Sequence, residues 1–521
     1  MEFDRDLQSI QEVRDLIGKS KAAQEAYQNY SQEQVDQICK HIADACVENA
    51  ERLAKMAVEE TGFGIWQDKV LKNLLGSVMT YNYFKNMKTI GILSDDPKTK
   101  IMEVAVPMGV VAALIPSTNP TSTVMYKSLI CLKSGNGIVI SPHPNAKKCT
   151  IEAARIVQKA AKEAGAPDGL VQVITIPSME GTNALITDKR IGIILATGGE
   201  AMVRSAYKSG NPALGVGPGN GPSFIEKSAD IPLAVKRIFD SKTFDNGTIC
   251  ASEQSIIVEE CSKDAVLAEV KKQGGYLLSP EETKKVGAFI LRANGTMNPK
   301  IVGKSALVIA DMAGISVPPS TRVLVSMQTT VGKDNPYSRE KLCPILGFYV
   351  EKDWESACKR SIEILFNEGA GHTMTIHSNN PEVIKQFALK KPVSRLIVNT
   401  PGSLGGTGAT TALPPAFTLG CGAVGGSATS DNINPMNLIN IRRVAYGLKE
   451  LSDLRAEAQQ IMGGRVDFRS ASGKPNYSQL SSISFKPGMS APTGASLSAD
   501  DVAKIAQSVM AKLKDNQGFN C

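Results

Sequence analysis

The chain has 521 residues, a formal net charge of +7, 42% hydrophobic residues and ten cysteines. That length exceeds what one core supports and predicts two or three domains with appendages, while the modest charge, with no long basic block, points away from nucleic acid and toward an anionic small molecule. No apolar run approaches bilayer length, the opening residues lack a signal-peptide pattern, and the scattered cysteines form no Cys-x-x-Cys pair; a cytoplasmic protein without membrane partner, zinc site or disulfide framework is expected.

The first ninety residues read as helices. Ser31-Gln-Glu-Gln34 has the form of a capping box, and Val35, Ile38, Cys39, Ile42 and Cys46 follow at helical spacing. From about residue 103 short apolar runs alternate with amphipathic helices: strands are predicted at 109–115, 137–140, 171–176 and 191–195, with a helix over 151–164. Buried strands alternating with helices predict an α/β fold with a parallel, doubly wound sheet, which binds ligands at the carboxyl ends of its strands. The loops to inspect therefore follow Ile115, Ile140 and Leu195. A second α/β region is expected over 242–437, with strands at 255–258, 322–325, 373–376 and 396–399. The glycine-rich stretch 401–426 reads as a loop that brings backbone close to something, and 439–446 as a strand returning to the main body. The predicted organisation is a first domain over 1–241 with a strand near 100–106, a second over 242–437, a return strand over 438–450, a flexible Ser/Pro/Gly linker over 464–496 and a helix over 497–515.

Within the second region, Phe244-Asp-Asn-Gly-Thr-Ile-Cys250 places a cysteine just past an Asn-Gly turn signal and ahead of a β-rich run. A thiol on a turn at the head of a strand is exposed and fixed in direction, as a nucleophile must be. Most cysteines are instead small buried hydrophobes, so the case for Cys250 depends on its partners. After the first buried strand comes Ile115-Pro-Ser-Thr-Asn-Pro120. Together with Cys250 and Gly371-His-Thr373, this stretch resembles the aldehyde dehydrogenase superfamily, in particular its coenzyme-A-acylating branch, over roughly residues 10–450. The resemblance implies two doubly wound α/β domains with oligomerisation strands. It implies that Asn119 and the Cys250 backbone N–H steady a tetrahedral oxyanion; the physics is general, since losing one such donor costs roughly 3–4 kcal/mol. The plainer reading of Asn119 is an Asn-Pro turn.

The same resemblance assigns the other residues. Ile115, Pro116, Ser117 and Thr118 would face the cofactor. Ser141, His143 and Pro144 stand where NAD-dependent relatives often carry a lysine and a glutamate for the adenine-side ribose, so NAD is the expected cofactor and NADP stays open. Thr197, Gly198 and Gly199 open a helix suited to a pyrophosphate. Gly217 lies in Gly215-Val-Gly-Pro-Gly-Asn-Gly221, which imitates a dinucleotide fingerprint far from the first βαβ unit and is not read as one. Glu340 would hold the nicotinamide ribose and Leu342 would pack beside the ring. His372 would accept the coenzyme A thiol proton or stabilise the Cys250 thiolate, unless it is structural.

An absence sharpens the expected reaction. Gly215 stands where hydrolytic relatives place a glutamate that activates water. With no base, and room opened by the missing side chain, a Cys250 thioester of a short aldehyde (propionaldehyde or acetaldehyde) would be discharged by coenzyme A. The competing reading is a phosphate-dependent semialdehyde reductase of the glutamyl-phosphate type; a non-catalytic scaffold is a third. The strand-like stretches 100–106 and 439–446 match those through which the family forms homodimers and homotetramers. At the far end, Ser498-Ala-Asp-Asp501 precedes Val502, Ile505, Ala506, Val509 and Leu513, one apolar stripe with no aromatic residue. Residues 497–515 resemble the encapsulation peptides of bacterial microcompartments, with shell proteins as the implied partner.

Overall fold

The computed structural model describes residues 4–466. The helix expected over 497–515, and all but the first three residues of the linker expected over 464–496, lie outside the described residues. Two units divide at residue 445/446. In the second, the described residues form one helix, Leu451–Ile461.

The first unit opens with the helices Arg5–Tyr27, Gln32–Glu48, Ala50–Thr61 and Trp66–Leu74. The capping box is present: Ser31 accepts from the Gln34 backbone and Gln34 answers to the Ser31 N–H. Val35, Ile38, Cys39, Ile42 and Cys46 are all buried, as their spacing predicts. A five-stranded parallel sheet follows in the order Val171–Val173, Gly137–Ser141, Val110–Leu114, Ile191–Thr197, Ala213–Val216. Helices on both faces bury its aliphatic strands, so these read as continuous apolar runs.

The second sheet has seven parallel strands, ordered Gly275–Leu277, Val323–Met327, Ile345–Glu351, Glu253–Glu259, Gly221–Ile225, Gly371–His377, Val393–Val398. Its core includes Phe224 stacked on Phe387, ring centroids 5.0 Å apart and nearly coplanar. One boundary moves. Gly221–Ile225 and the helix Ile231–Thr243 belong with the second sheet, so the first domain ends near residue 216 rather than 241. The cause is that Ala213–Val216 closes one sheet and the chain crosses directly into the other, without the linker a composition shift would betray. The crossover is the glycine-rich 217–220. Gly219 has no room for a side chain, since a Cβ there would stand 1.8 Å from the Cys250 carbonyl oxygen.

A three-stranded antiparallel sheet stands apart, in the order Ile92–Asp96, Ile101–Pro107, Ile439–Ala445. The two stretches read as oligomerisation strands therefore pair with each other inside one chain. Among the described residues, no helix is long and apolar enough to cross a membrane.

Candidate active site

The turn that carries Cys250 is built from backbone that few residues tolerate. Asp245, Asn246 and Gly247 have φ of 48°, 52° and 76°, three left-handed residues in a row. Asn, Asp and Gly accept that region most readily, which explains the composition of the turn. The Ser252 N–H then bonds to Ile249 O at 2.9 Å, closing the turn before the strand Glu253–Glu259 begins.

Cys250 lies in a cavity of about 220 Å³ whose walls come from both sheets. Of the residues anticipated from sequence, Pro116, Ser117, Thr118, Asn119, His143, Thr197, Gly198, Gly199, Gly217, Cys250, Glu340 and Leu342 line it. Four do not. Ile115 is a buried residue whose N–H bonds to Ser141 O. Ser141 turns its hydroxyl toward Thr182. Pro144 begins a single turn, Pro144–Ala146, behind His143. His372 is wholly enclosed in the strand Gly371–His377. Sequence reasoning missed Phe417 and Leu419, the apolar wall opposite the cofactor loops, and Thr407 beside them. All three come from the glycine-rich loop that was expected to approach something.

The charges in this cavity differ from the expectation. Cys250 is half-buried rather than exposed, and burial, with Glu340 and Cys421 nearby, pushes its thiol up to about 12. Arg395 and the residue's own backbone N–H pull the other way without prevailing. Burial, and Glu368 beside it, raise the Glu340 carboxyl to about 8, and its Oε1 accepts the Gly219 N–H at 2.9 Å. The imidazole of His372 is pushed well below its usual range by burial and by Arg395, with Nδ1 3.0 Å from Thr373 Oγ1 and Nε2 unpartnered. A neutral ring supplies no charge to a thiolate, so that expected role of His372 is corrected; the cation on this side is Arg395.

The reading of Gly215 also changes. A Cβ there would meet Val203 Cγ1 at 2.6 Å and the Tyr207 ring at 2.9 Å, and the Tyr207 hydroxyl accepts the Gly215 N–H. The position faces the helix Glu200–Lys208 and a wider cleft of about 780 Å³, not the Cys250 cavity. A missing side chain therefore opens no room for a thiol. The larger cleft lacks the nucleophile, so the chemistry is placed at the smaller one. There the lining carboxyls are Glu340 and Glu200, and Glu200 is ion-paired with Arg204 at 2.6 Å.

The cofactor loops fit a dinucleotide. Gly199 is the N-cap of the helix Glu200–Lys208 with no side chain closing it, a Cβ on Gly199 would meet nothing within 4 Å, and Gly198 has Met202 no nearer than 3.8 Å. Free helix N–H groups facing open space suit a diphosphate.

Residues 6–296 match the aldehyde dehydrogenase family. The chain belongs to that family. The bifunctional aldehyde-alcohol dehydrogenase AdhE of Escherichia coli (strain K12) is 45% identical over 442 residues, 84% of this chain and 50% of the relative. The chain thus spans about half the length of that enzyme. A crystal structure of a probable aldehyde dehydrogenase from Listeria monocytogenes EGD-e has 62% sequence identity and a TM-score of 0.86, covering 87% of this chain and 100% of its own. The structure of Rhodopseudomonas palustris propionaldehyde dehydrogenase with bound propionyl-CoA has 27% identity and a TM-score of 0.75, covering 83% of this chain and 94% of its own.

A thiol raised this far is protonated at neutral pH, and its reactive form grows by about tenfold per pH unit until the pKa is reached. Alkylation of Cys250 by iodoacetamide, resolved by peptide mass spectrometry, should climb without a plateau between about pH 7 and about pH 9. A plateau near neutrality would show a thiolate already formed.

Proposed function

We propose that this chain is a coenzyme-A-acylating aldehyde dehydrogenase, which joins a short aldehyde to coenzyme A and reduces a nicotinamide cofactor. The observation that carries the reading is the cavity itself. It holds a nucleophile and an oxyanion donor from separate loops, while its two carboxyls are engaged elsewhere: Glu340 Oε1 accepts the Gly219 N–H at 2.9 Å and Glu200 is ion-paired with Arg204.

In this scheme the Cys250 sulfur adds to the aldehyde carbon, and Asn119 Nδ2 with the Cys250 N–H receives the oxygen's negative charge. Bound through Thr197–Gly199, Gly217, Glu340 and Leu342, the oxidised nicotinamide supplies the hydride acceptor and a positive charge that favours the thiolate. Phe417 and Leu419 give the acyl group an apolar wall. The thioester left on Cys250 meets no ready base, so water attacks slowly and the coenzyme A thiol takes the acyl group. His372 is neutral and enclosed, so its unpartnered Nε2 takes the coenzyme A thiol proton in this scheme only if entry of that thiol exposes the ring. With no carboxylate at Ser141 or Pro144, NADP is accommodated as well as NAD. Propionaldehyde and acetaldehyde fit the apolar wall and the small cavity, and either reaction direction uses the same groups. The phosphate-dependent alternative gains nothing from the structure.

The cavity also gives the kinetic test. Without coenzyme A, the protein should release about one NADH per Cys250 and then stall, and coenzyme A should restore turnover as thioester. Free acid formed equally fast without coenzyme A would refute the reading. Cys250→Ala should abolish both phases, while His372→Ala should keep the burst and slow the coenzyme A step by about 10²-fold.

Two further readings concern assembly. The strand Ile439–Ala445 pairs on one side only, with Ile101–Pro107, and Ile441 and Val444 are exposed along it, which supports a homodimer or homotetramer built through this sheet. Light scattering of the purified chain should give two or four times the 55.5 kDa of one chain; a monomer would remove the reading. The apolar stripe at Val502, Ile505, Ala506, Val509 and Leu513 supports delivery into a bacterial microcompartment through shell proteins. Residues 490–521 fused to a fluorescent protein should co-localise with shells, and diffuse fluorescence beside intact shells would count against targeting.

A further inference from the structure

Behind the oxyanion donor lies a set of buried charges that the reaction scheme leaves unused. Lys69 and Lys72 sit on one face of the helix Trp66–Leu74, and both are buried. Lys72 Nζ donates to Asn119 Oδ1 at 2.6 Å, to Thr248 Oγ1 at 3.0 Å and to Asp245 Oδ2. Lys69 Nζ donates to Asp245 Oδ2 at 2.8 Å and to Thr118 O at 3.0 Å. The Asp245 carboxylate takes both lysines, the Thr248 hydroxyl at 2.7 Å and the Ile65 N–H at 2.8 Å, while its own N–H goes to Asp68 at 2.7 Å. With Asp68 counted, two ammonium groups face two carboxylates.

The geometry points to Lys72 as a positioning residue for the oxyanion hole, held in place by Asp245. An asparagine side chain has nearly the same shape either way round, so packing alone does not decide which end faces the substrate. An ammonium has donors and no acceptor, so the group at 2.6 Å from Lys72 must be the carbonyl end of Asn119. The amide's N–H₂ is thereby turned the other way, where it lies 3.2 Å from Thr248 O, on the turn that leads to Cys250. A flipped amide would aim an oxygen at the developing oxyanion and repel it. A full positive charge on the carbonyl end also polarises the amide and strengthens its N–H as a donor.

The ammonium is itself unable to wander. Its three protons have three acceptors, and moving it away would leave the Asp245 charge with one cation fewer in a dry site. Lys69 adds a second restraint by gripping the carbonyl of Thr118, so both the backbone and the side chain of the loop are held. Burial lowers Lys72 to about 8, with Asp245 opposing the drop. On Asp245, burial pushes upward, yet Lys72 and Lys69 outweigh it and hold the carboxyl below its ordinary range. The chain makes space for this arrangement: a Cβ on Gly64 would fall 1.8 Å from Asp245 Oδ1.

This assignment rests on the reading of Asn119 as oxyanion donor. Lys72→Met should lower kcat for NADH formation by about 10²-fold, the scale of losing one oxyanion donor, with the aldehyde KM little changed. The same substitution placed on Asn119→Ala should cost far less than it does in the wild type, because the part of its effect carried by that amide is already gone. Alkylation of Cys250 by iodoacetamide, read at its own peptide because Cys261 is exposed as well, should proceed at the wild-type rate, which a general loss of structure would not allow. Should Lys72→Met fail to fold, Lys72→Leu carries the same cycle, and Lys72→Gln, whose amide can still donate to Asn119 Oδ1, should recover part of kcat. Costs that add to those of Asn119→Ala, or an unchanged kcat, overturn the assignment. If Asn119→Ala alone costs nothing in a wild-type protein that makes thioester, the oxyanion reading fails; if the wild type makes no thioester at all, the proposed function fails first.

Discussion

A fully buried carboxylate, that of Asp245, is where three distant pieces of the chain are tied together. Its two lysines come from the N-terminal helices, its backbone belongs to the turn that presents Cys250, and those lysines reach on to Thr118 and Asn119 at the end of a strand in the first sheet. Burying such groups is costly, and removing one partner from a buried pair typically costs about 3–5 kcal/mol. The cluster is tolerable because its donors and acceptors answer one another. That same condition makes the arrangement specific: a shifted helix or a turned amide would strand a charge.

The tie matters because the site belongs to neither sheet alone. Asn119 and the loops at Thr197–Gly199 extend from the five-stranded sheet, whereas Cys250, Glu340 and Leu342 come with the seven-stranded one. Nucleophile and oxyanion donor are therefore only as well aligned as the joint between sheets. Gly219, packed against the Cys250 carbonyl, and the Asp245 cluster hold that joint from two sides. The electrostatics of the cavity follow from the same burial. Burial pushes the thiol up to about 12 and the nearest carboxyl up to about 8, which keeps the thiol protonated at neutral pH. A positive charge brought beside the sulfur would favour its thiolate.

Much of this was legible in the chain as a string. The capping box at Ser31, the buried runs of both parallel sheets and the turn before Cys250 are local features, written in residue type and spacing within a few positions. Nine of the twelve anticipated residues that line the cavity lie where strands of the five-stranded sheet end, because loops after parallel strands gather at one end of a sheet, whereas Cys250, Glu340 and Leu342 precede strands of the other sheet. The domain boundary slipped by about one strand-helix unit, since a direct crossover between sheets leaves no compositional mark. Gly215 looked like vacated space, but Tyr207, from the preceding helix, fills it.

By itself the sequence determined the fold class, which depends on short-range pattern, and its resemblance to a family picked out the candidate nucleophile, oxyanion donor and cofactor loops. Only the tertiary structure decided how those groups are charged and oriented. No motif in the sequence singles out Lys69 or Lys72, and Asp245 stands only as part of the turn ahead of Cys250. Their meaning arises from burial against one another across about 175 residues of chain. Burial and long-range neighbours set protonation and amide orientation, and neither is a property of any stretch of sequence read alone.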